Sequence, residues 1–313
     1  MRVLTEADVT RAADIGMALA SAERCAAAVA GGQVSASRAQ VNGDGAWIRS
    51  LVAILPESDV MGYKVLLGGQ RGGARFFCQL FRVSTGEPLA LIDAATITRL
   101  RTSAHAAIAV AHAFPDEAIT VGVVGSGHEA QQALRTMAHR SRVKAASVWS
   151  PRESSRIGFA TSMSDELGIP IRPAESVRQC LRDVDVAYTA TTSGGQVVVR
   201  QDDLTGVRML STIGSTTPRQ REIEPAVFTG AGRIVVDTMD CLTDSGDLLA
   251  CADEAPSSPI AVELLGHYLE TEPLPSTGLL VYKSIGSAEQ DILLALDVFT
   301  AASDRGIGAT LPG

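Results

Sequence analysis

The sequence has few of the features that mark disulfide-rich, metal-binding or nucleic-acid-binding proteins. Its five cysteines are scattered, odd in number and never spaced as C-x-x-C, so we expect neither a disulfide framework nor a zinc site. The five histidines form no H-E-x-x-H or similar cluster, and we predict no metal. Basic residues number 27 against 35 acidic ones, and the resulting net charge of −8 argues against binding to nucleic-acid phosphates.

The amino terminus lacks an uninterrupted apolar run. Residues 1–19 include Glu6, Asp8 and Asp14, which fits neither a signal peptide nor a membrane span. We therefore expect no membrane partner and a reducing, cytoplasmic location. The remaining composition, 46% hydrophobic and 20% charged over 313 residues, is that of an ordinary globular protein, and the length favours two domains.

Residues 1–115 contain helical patterns at both ends and strand-like patterns between them. An alanine-rich helical pattern fills the first thirty residues, with Thr5 and Asp8 as a capping signal, and residues 94–114 return to helix. Between them, the apolar runs Trp47–Leu55, Met61–Leu67 and Arg75–Val83 alternate with Gly and Pro turns. This alternation predicts a largely antiparallel sheet.

A different rhythm begins near Ala118, where strands alternate with helices. The strand-like runs are Ile119–Val124, Ala145–Trp149, Val184–Ala190, Met209–Ile213 and Ile234–Val236. This rhythm predicts a parallel, doubly wound sheet of the Rossmann type. A final amphipathic helix over residues 288–302 is expected to pack back on the first domain. We therefore predict an α/β protein with a Rossmann dinucleotide-binding domain at 116–287 and a discontinuous α/β domain formed by 1–115 and 288–313.

The turn Gly125-Ser126-Gly127-His128-Glu129-Ala130 follows a buried strand and opens a helix. In that context the G-x-G-x-x-A pattern predicts a dinucleotide site, because the free N–H groups of the helix start point at a pyrophosphate. Gly125 permits the tight turn, Gly127 lets the backbone approach the phosphates, and Ala130 allows close packing. The alternative is a plain strand–helix turn without a ligand.

The end of the second strand favours NADP(H) over NAD(H). An acidic residue about 20 positions on would bind the ribose 2′-hydroxyl of NAD. This sequence has Ser150-Pro151-Arg152 instead, and Arg152 could meet a 2′-phosphate with Ser154 and Ser155 donating hydrogen bonds. The alternative is that Arg152 is a solvated surface arginine.

Several segments, in this order and spacing, carry a resemblance to a known family. They are Gly62–Val65, Leu91–Asp93 with Thr98–Thr102, the glycine turn, Ala190–Ser193, Ile213–Ser215, and Lys283–Gly286 with Asp291. Over nearly its whole length the chain resembles the ornithine cyclodeaminase/mu-crystallin family.

The resemblance implies a Rossmann domain inserted in a substrate-binding and dimerisation domain, and hydride chemistry at the Cα of an amino acid or 2-imino acid. It implies a small-molecule substrate and, together with the predicted exposed sheet of the first domain, a homodimer. The positions matched to cofactor binding are Arg101, Thr102, Gly125, Ser126, Gly127, His128, Glu129, Ser150, Pro151, Arg152, Ser155, Thr191, Thr192, Ile213 and Ser284.

Arg38, Lys64 and Arg101 match the family's substrate-binding positions. Arg101 could hold a substrate carboxylate with its planar fork. Lys64 lies in a predicted buried strand, where desolvation would lower its pKa towards a useful value, so we predict Lys64 as the general acid/base. The alternatives are an edge-strand surface position for Lys64, a loop for Arg38 and a helix surface for Arg101. We expect Asp93 to be a cap or structural carboxylate.

Thr216 departs from the ornithine cyclodeaminases, whose loop has an aspartate at the matching position. A threonine cannot take up a proton near neutral pH, so Thr216 weakens the case for cyclising ornithine. The leading hypothesis is therefore an NAD(P)-dependent ketimine reductase or amino-acid dehydrogenase that uses Lys64, Arg101 and Thr216. Two alternatives stand: an ornithine cyclodeaminase that uses NAD catalytically, and a non-catalytic, NADPH-binding, crystallin-like protein.

Overall fold

The computed structural model describes residues 1–70, 73–192, 194–254, 260–275 and 277–311. Ser193, quoted above as part of a family segment, and Arg71 and Gly72 of the loop after Gly68 lie outside the described residues. The chain divides into two compact units, one formed by Met1–Ala104 with Ser287–Gly313 and the other by His105–Gly286. The sequence prediction set these divisions at 115/116 and 287/288.

The first unit contains a seven-stranded sheet. Its strands are β1 (Arg2–Leu4), β2 (Ser35–Gly43), β3 (Ala46–Leu55), β4 (Val60–Gly68), β5 (Arg75–Arg82), β6 (Pro88–Asp93) and β15 (Ala309–Thr310). The order is β15-β1-β6-β5-β4-β3-β2, and all pairs are antiparallel except β1 with β6. The largely antiparallel sheet predicted from the sequence is confirmed.

Helices cover one face of this sheet. They are α1 (Glu6–Ala12), α2 (Ile15–Ala30), the first part of α3 (Ala95–Ala113), and α11 (Ala288–Asp304). Thr5 and Asp8 form the predicted capping box at the start of α1. Helix α11 packs against α2, β3 and β4, as expected for a carboxyl-terminal helix that returns to the first domain.

The second unit contains an eight-stranded, all-parallel sheet. Its strands are β7 (Ala118–Val124), β8 (Arg142–Trp149), β9 (Ile171–Pro173), β10 (Val186–Thr189), β11 (Met209–Thr212), β12 (Arg233–Val236), β13 (Glu263–Leu264) and β14 (Leu280–Lys283). Its other helices are α4 (His128–Arg140), α5 (Glu153–Leu167), α6 (Val177–Leu181), α7 (Pro225–Thr229), α8 (Cys241–Asp244), α9 (Gly246–Glu254) and α10 (Leu265–Tyr268). The predicted Rossmann-type architecture is confirmed.

The strand order β13-β12-β14-β11-β10-β7-β8-β9 reverses direction at β7. From β7 the chain adds β8 and β9 on one side, then returns to place β10 and β11 on the other. Ligands of open α/β sheets bind at the carboxyl ends of the strands where the order reverses. We therefore expect a ligand to bind at the loops that follow β7 and β10.

The sequence did not predict β14, which inserts between β11 and β12. Its four residues are all buried, and they pair with strands that precede them in the chain. Such a short strand gives no local signal of its neighbours, because strand pairing is decided by tertiary packing.

Two glycine-to-alanine substitutions in the second unit are expected to have opposite effects on stability. Gly125 has φ +121°, and a Cβ there would lie 2.3 Å from the Ala190 carbonyl oxygen. Gly125→Ala should therefore lower the free energy of unfolding by more than about 1 kcal/mol. Gly158, inside α5, has no atom within 4 Å of such a Cβ. Gly158→Ala should raise the free energy of unfolding by about 0.5–1 kcal/mol.

Urea unfolding followed by circular dichroism measures both variants. An unfolding free energy for Gly125→Ala equal to that of the wild type would contradict the backbone constraint at the turn.

Candidate functional site

The glycine turn offers an open helix terminus. Gly127 is the N-cap of α4, and as a glycine it has no side chain to cap that helix. A Cβ on Gly127 would meet no atom within 4 Å, so the space in front of the turn is open. The first N–H groups of a helix have no intrahelical partners. Ser126, His128 and Glu129 flank this space at exposed or half-buried positions. An anion such as a pyrophosphate fits here.

The end of β8 lies beside the turn, since the Gly125 N–H donates to the Trp149 carbonyl at 2.8 Å. Ser150 is buried, and its hydroxyl donates to the Arg152 carbonyl at 3.2 Å. Pro151 and Arg152 are exposed, Ser155 is half-buried, and Arg152 is the N-cap of α5. Among these residues, only the side chain of Arg152 carries a charge, and it is positive.

The loops after β10, β11 and β14 contain four more of the predicted cofactor contacts, Thr191, Thr192, Ile213 and Ser284. Thr191 and Thr192 follow β10 and Ile213 follows β11, and Thr191 donates its hydroxyl to Glu222. The hydroxyl and N–H of Thr216 both donate to the Gln220 side-chain oxygen, at 3.1 and 3.0 Å. Ser284, after β14, donates its hydroxyl to Asp237 at 2.6 Å.

In the first unit a buried charge cluster forms around Lys64. The Lys64 Nζ donates to both carboxylate oxygens of Asp291 at 2.8 Å, and to the Thr98 hydroxyl at 3.1 Å. The Arg101 Nε donates to Asp291 at 3.1 Å, and its Nη1 donates to the Gln290 side-chain oxygen at 3.0 Å. We call these five residues the Lys64 cluster. It joins β4, α3 and α11.

The Lys64 cluster is almost completely shielded from solvent. Lys64 and Asp291 are 0% exposed and Arg101 is 7% exposed, which excludes the surface positions weighed for Lys64 and Arg101. Thr102, the next residue of α3, is also 7% exposed. Burial lowers the pKa of Lys64, the neighbouring Arg101 lowers it further, and the Asp291 carboxylate opposes both. This is the direction predicted from a buried strand.

Arg38 lies in β2 and not in a loop. The strand registers pair Arg38 with Leu51, and Leu51 with Lys64. Directly opposed residues of an antiparallel sheet point to the same face. Arg38 is therefore on the face of the sheet that carries Lys64, two strands away, and it is half-buried there.

Asp93 caps α3, because its Oδ1 accepts from the Ala95 N–H at 3.0 Å, in agreement with the predicted structural role. Asp291 and Gln290 were not predicted as site residues. Asp291 belongs to a quoted family segment, but its contact with a lysine 227 positions earlier depends on tertiary packing. Helix α11 contains four acidic residues, Glu289, Asp291, Asp297 and Asp304, so its sequence alone did not distinguish Asp291.

Within the part of the chain that the structure describes, no group of three or more His, Cys, Asp or Glu residues is arranged to hold a metal ion. The same residues include no helix that is long and apolar enough to cross a bilayer.

Known proteins share the fold. A Delta(1)-pyrroline-2-carboxylate reductase of Bacillus cereus is 25% identical over 264 residues, which are 82% of this chain and 78% of that protein. The Delta(1)-pyrroline-2-carboxylate reductase of Thermococcus litoralis, solved with NADH and L-proline, superposes with a TM-score of 0.90 at 22% identity over 99% of this chain and 100% of that one. An archaeal alanine dehydrogenase dimer with bound NAD gives a TM-score of 0.90 at 20% identity, with 100% and 99% coverage.

The family description that matches this sequence is "Ornithine cyclodeaminase/mu-crystallin family", over residues 71–306. The matched range contains the glycine turn, Arg101, Thr216 and Asp291. Because it spans most of the chain, the protein belongs to the ornithine cyclodeaminase/mu-crystallin family.

Proposed function

We propose that this protein is a nicotinamide-dependent oxidoreductase that acts at the Cα of an amino acid or its 2-imino acid. The observation that carries the proposal is the Lys64 cluster. Its three charged side chains bring two positive charges and one negative charge into a site closed to water. The guanidinium of Arg101 and the ammonium of Lys64 are charge-assisted donors of the kind that recognise a carboxylate, and we expect the substrate carboxylate to bind beside them.

We assign separate roles to Arg101 and Lys64 of the cluster and to Arg38. Arg101, with its plane fixed by Asp291 and Gln290, holds the substrate carboxylate. Arg38, on the same face of the sheet, adds a second cation for binding. Lys64 holds the proton that the substrate nitrogen gains or loses, because its pKa is lowered from the ordinary lysine value. A bound nicotinamide supplies the hydride in this chemistry.

We propose that the nicotinamide dinucleotide binds along the carboxyl ends of β7, β8, β10 and β11. Support comes from the open helix terminus at Gly127 and from the reversal of strand order at β7. The neutral Ser150 and the exposed Arg152 favour NADP(H) over NAD(H), since the arginine meets a 2′-phosphate. Arg101, Thr102 and Ser284 remain proposed cofactor contacts on the family resemblance.

Thr216 favours reduction of a 2-imino acid over cyclisation of ornithine. Its hydroxyl bonds the Gln220 side chain, and neither group can act as a base near neutral pH. A reductase needs no base for a distal amine. This contrast is why we place the protein among the ketimine reductases and amino-acid dehydrogenases of its family.

A spectrophotometric panel tests the proposed reaction. Purified protein should oxidise NADPH faster than NADH with at least one of pyrroline-2-carboxylate, piperideine-2-carboxylate, or pyruvate or glyoxylate plus an amine. Lys64→Met should slow that reaction by about a hundredfold or more.

Two results of this panel would contradict the proposal. Nucleotide binding without oxidation in any mixture would indicate a non-catalytic protein. Release of ammonia and proline from ornithine, without net change in nicotinamide absorbance, would indicate a cyclodeaminase.

The pH dependence of the reaction tests Lys64 as the acid. Asp291→Asn removes the negative charge that opposes the lowering of the Lys64 pKa. That pKa should therefore fall further. Since imine reduction needs protonated Lys64, kcat/KM should begin to decline on the alkaline side at a pH lower by about one unit or more. The measurement is the pH profile of kcat/KM.

The matched control is Asp297→Asn on the same helix. Asp297 pairs with Arg24 at 2.6 Å, and the Arg24 side chain is 51% exposed. This variant should keep the wild-type profile. An alkaline limb that stays in place or moves to higher pH in Asp291→Asn would exclude Lys64 as the acid.

We also propose a homodimer formed through the uncovered face of the first unit's sheet. Residues on that face include Ile48, Val52 and Ile54 of β3, which are 46%, 42% and 42% exposed. Met61, Tyr63 and Phe81 of the neighbouring strands line a cavity beside Val52 and Ile54. Exposed apolar patches of this kind mark protein–protein contacts. The archaeal alanine dehydrogenase with this fold is described as a dimer.

Sedimentation velocity checks the dimer. The wild type should sediment as two chains, and Ile54→Glu as one, because a buried unpaired charge is costly at an interface. Ile157→Glu is the control: Ile157 is 47% exposed in α5 of the second unit, and its variant should stay dimeric. A monomeric wild type, or a dimeric Ile54→Glu, would contradict this interface.

A further inference from the structure

A row of polar side chains crosses the carboxyl ends of three neighbouring strands in the second unit. Thr189 of β10 is in register with Thr212 of β11, and Thr212 is in register with Lys283 of β14. Each of the three is 0% exposed. In-register neighbours in a sheet point to the same face. Two hydroxyls and one ammonium therefore need acceptors in the same buried place.

Glu222 supplies most of these acceptors. Its Oε1 accepts from the Thr189 and Thr212 hydroxyls, both at 2.6 Å, and from the Gly214 N–H at 2.8 Å. Its Oε2 accepts from the Thr191 hydroxyl at 2.8 Å and the Thr191 N–H at 3.1 Å. A carboxylate has about four lone-pair sites, so these donors saturate it.

Asp247 holds Glu222 in this position. One Asp247 oxygen accepts from the N–H groups of Glu222 and Ile223 at 2.9 and 3.1 Å, and the other accepts from the Lys283 Nζ at 3.2 Å. The ammonium thereby gains a counter-ion. The arrangement also depends on Gly214, since a Cβ there would lie 2.0 Å from the Glu222 Oε2.

The groups that Glu222 holds begin the loops after β10 and β11. These strands lie on the opposite side of β7 from β8 and β9. A dinucleotide on a doubly wound sheet spans both halves, one mononucleotide to each. We place the adenine mononucleotide half at the glycine turn and Arg152. The loops after β10 and β11 then lie beside the nicotinamide half.

We propose that Glu222 is a positioning residue for the nicotinamide half of the cofactor, acting through Thr191 and Gly214; this inference rests on the proposed function. A buried carboxylate is a poor source of stability compared with apolar packing. Its saturated hydrogen bonds instead fix two loops before the ligand arrives. Loops fixed in advance lower the ordering cost of binding.

Calorimetric titration separates this role from a general loss of structure. The ligands form two matched pairs, NADPH with 2′,5′-ADP and NADH with AMP, so that the members of each pair differ by the nicotinamide mononucleotide half. Glu222→Gln should weaken binding of the dinucleotides about tenfold, or about 1.4 kcal/mol, and change binding of the two adenine mononucleotides less than about twofold. The fold of each variant is checked by its thermal unfolding.

Two further variants complete the test. Glu224→Gln is the matched control on the same segment. Glu224 accepts from the Gln201 N–H and pairs with Arg200, which are not the partners of Glu222. The control variant should bind all four ligands like the wild type. Thr212→Val removes one donor to Glu222 and keeps the carboxylate. It should weaken only the dinucleotides, by about fivefold, the value of one hydrogen bond, and it serves if Glu222→Gln does not fold.

The outcomes distinguish the two proposals. A wild type that binds none of the four ligands overturns the proposed function together with this inference. The role of Glu222 alone is overturned if the wild type binds the ligands and the folded variants lose affinity equally for both members of each pair, or for neither.

Discussion

The contact between Lys64 and Asp291 determines how the first unit is organised. Lys64 comes from the middle of a sheet and Asp291 from the carboxyl-terminal helix, and both are closed to water. Neither charge could be buried alone, since an unpaired buried ion costs several kcal/mol or more. The carboxyl-terminal segment must therefore return to the sheet formed by the first hundred residues. The ion pair and the apolar packing of α11 on the sheet together account for the discontinuity of this unit.

That ion pair also determines the chemistry that the unit can support. Arg101 reaches the same carboxylate, so Asp291 serves two cations. In the proposed function, Arg101 also binds the carboxylate of the substrate. The same low-polarity surroundings that demand a counter-ion for Lys64 lower its pKa, and so prepare it for proton exchange. Binding and acid–base function therefore have a common physical cause.

The sequence predicted the features that local patterns determine. The glycine turn, the strand before it, the helix after it and the helix start at Thr5 are encoded by neighbouring residues, and the structure contains each of them. The place of β14 could not be predicted, because a four-residue strand does not specify its neighbours. The contacts of Asp291 and Glu222 were missed for the same reason, since their partners come from distant segments.

Two buried polar clusters in this chain differ in how their charges and hydrogen-bond donors are paired. Around Glu222, five donors meet one carboxylate and Lys283 meets Asp247, so the cluster satisfies its own members and fixes the backbone at two strand ends. Around Lys64, two cations share the carboxylate of Asp291, and in the proposed function Arg101 also binds the carboxylate of the substrate. A satisfied cluster gives rigidity, whereas an unbalanced cluster gives affinity. An enzyme that must hold a large cofactor in register and attract a small anion needs one cluster of each kind.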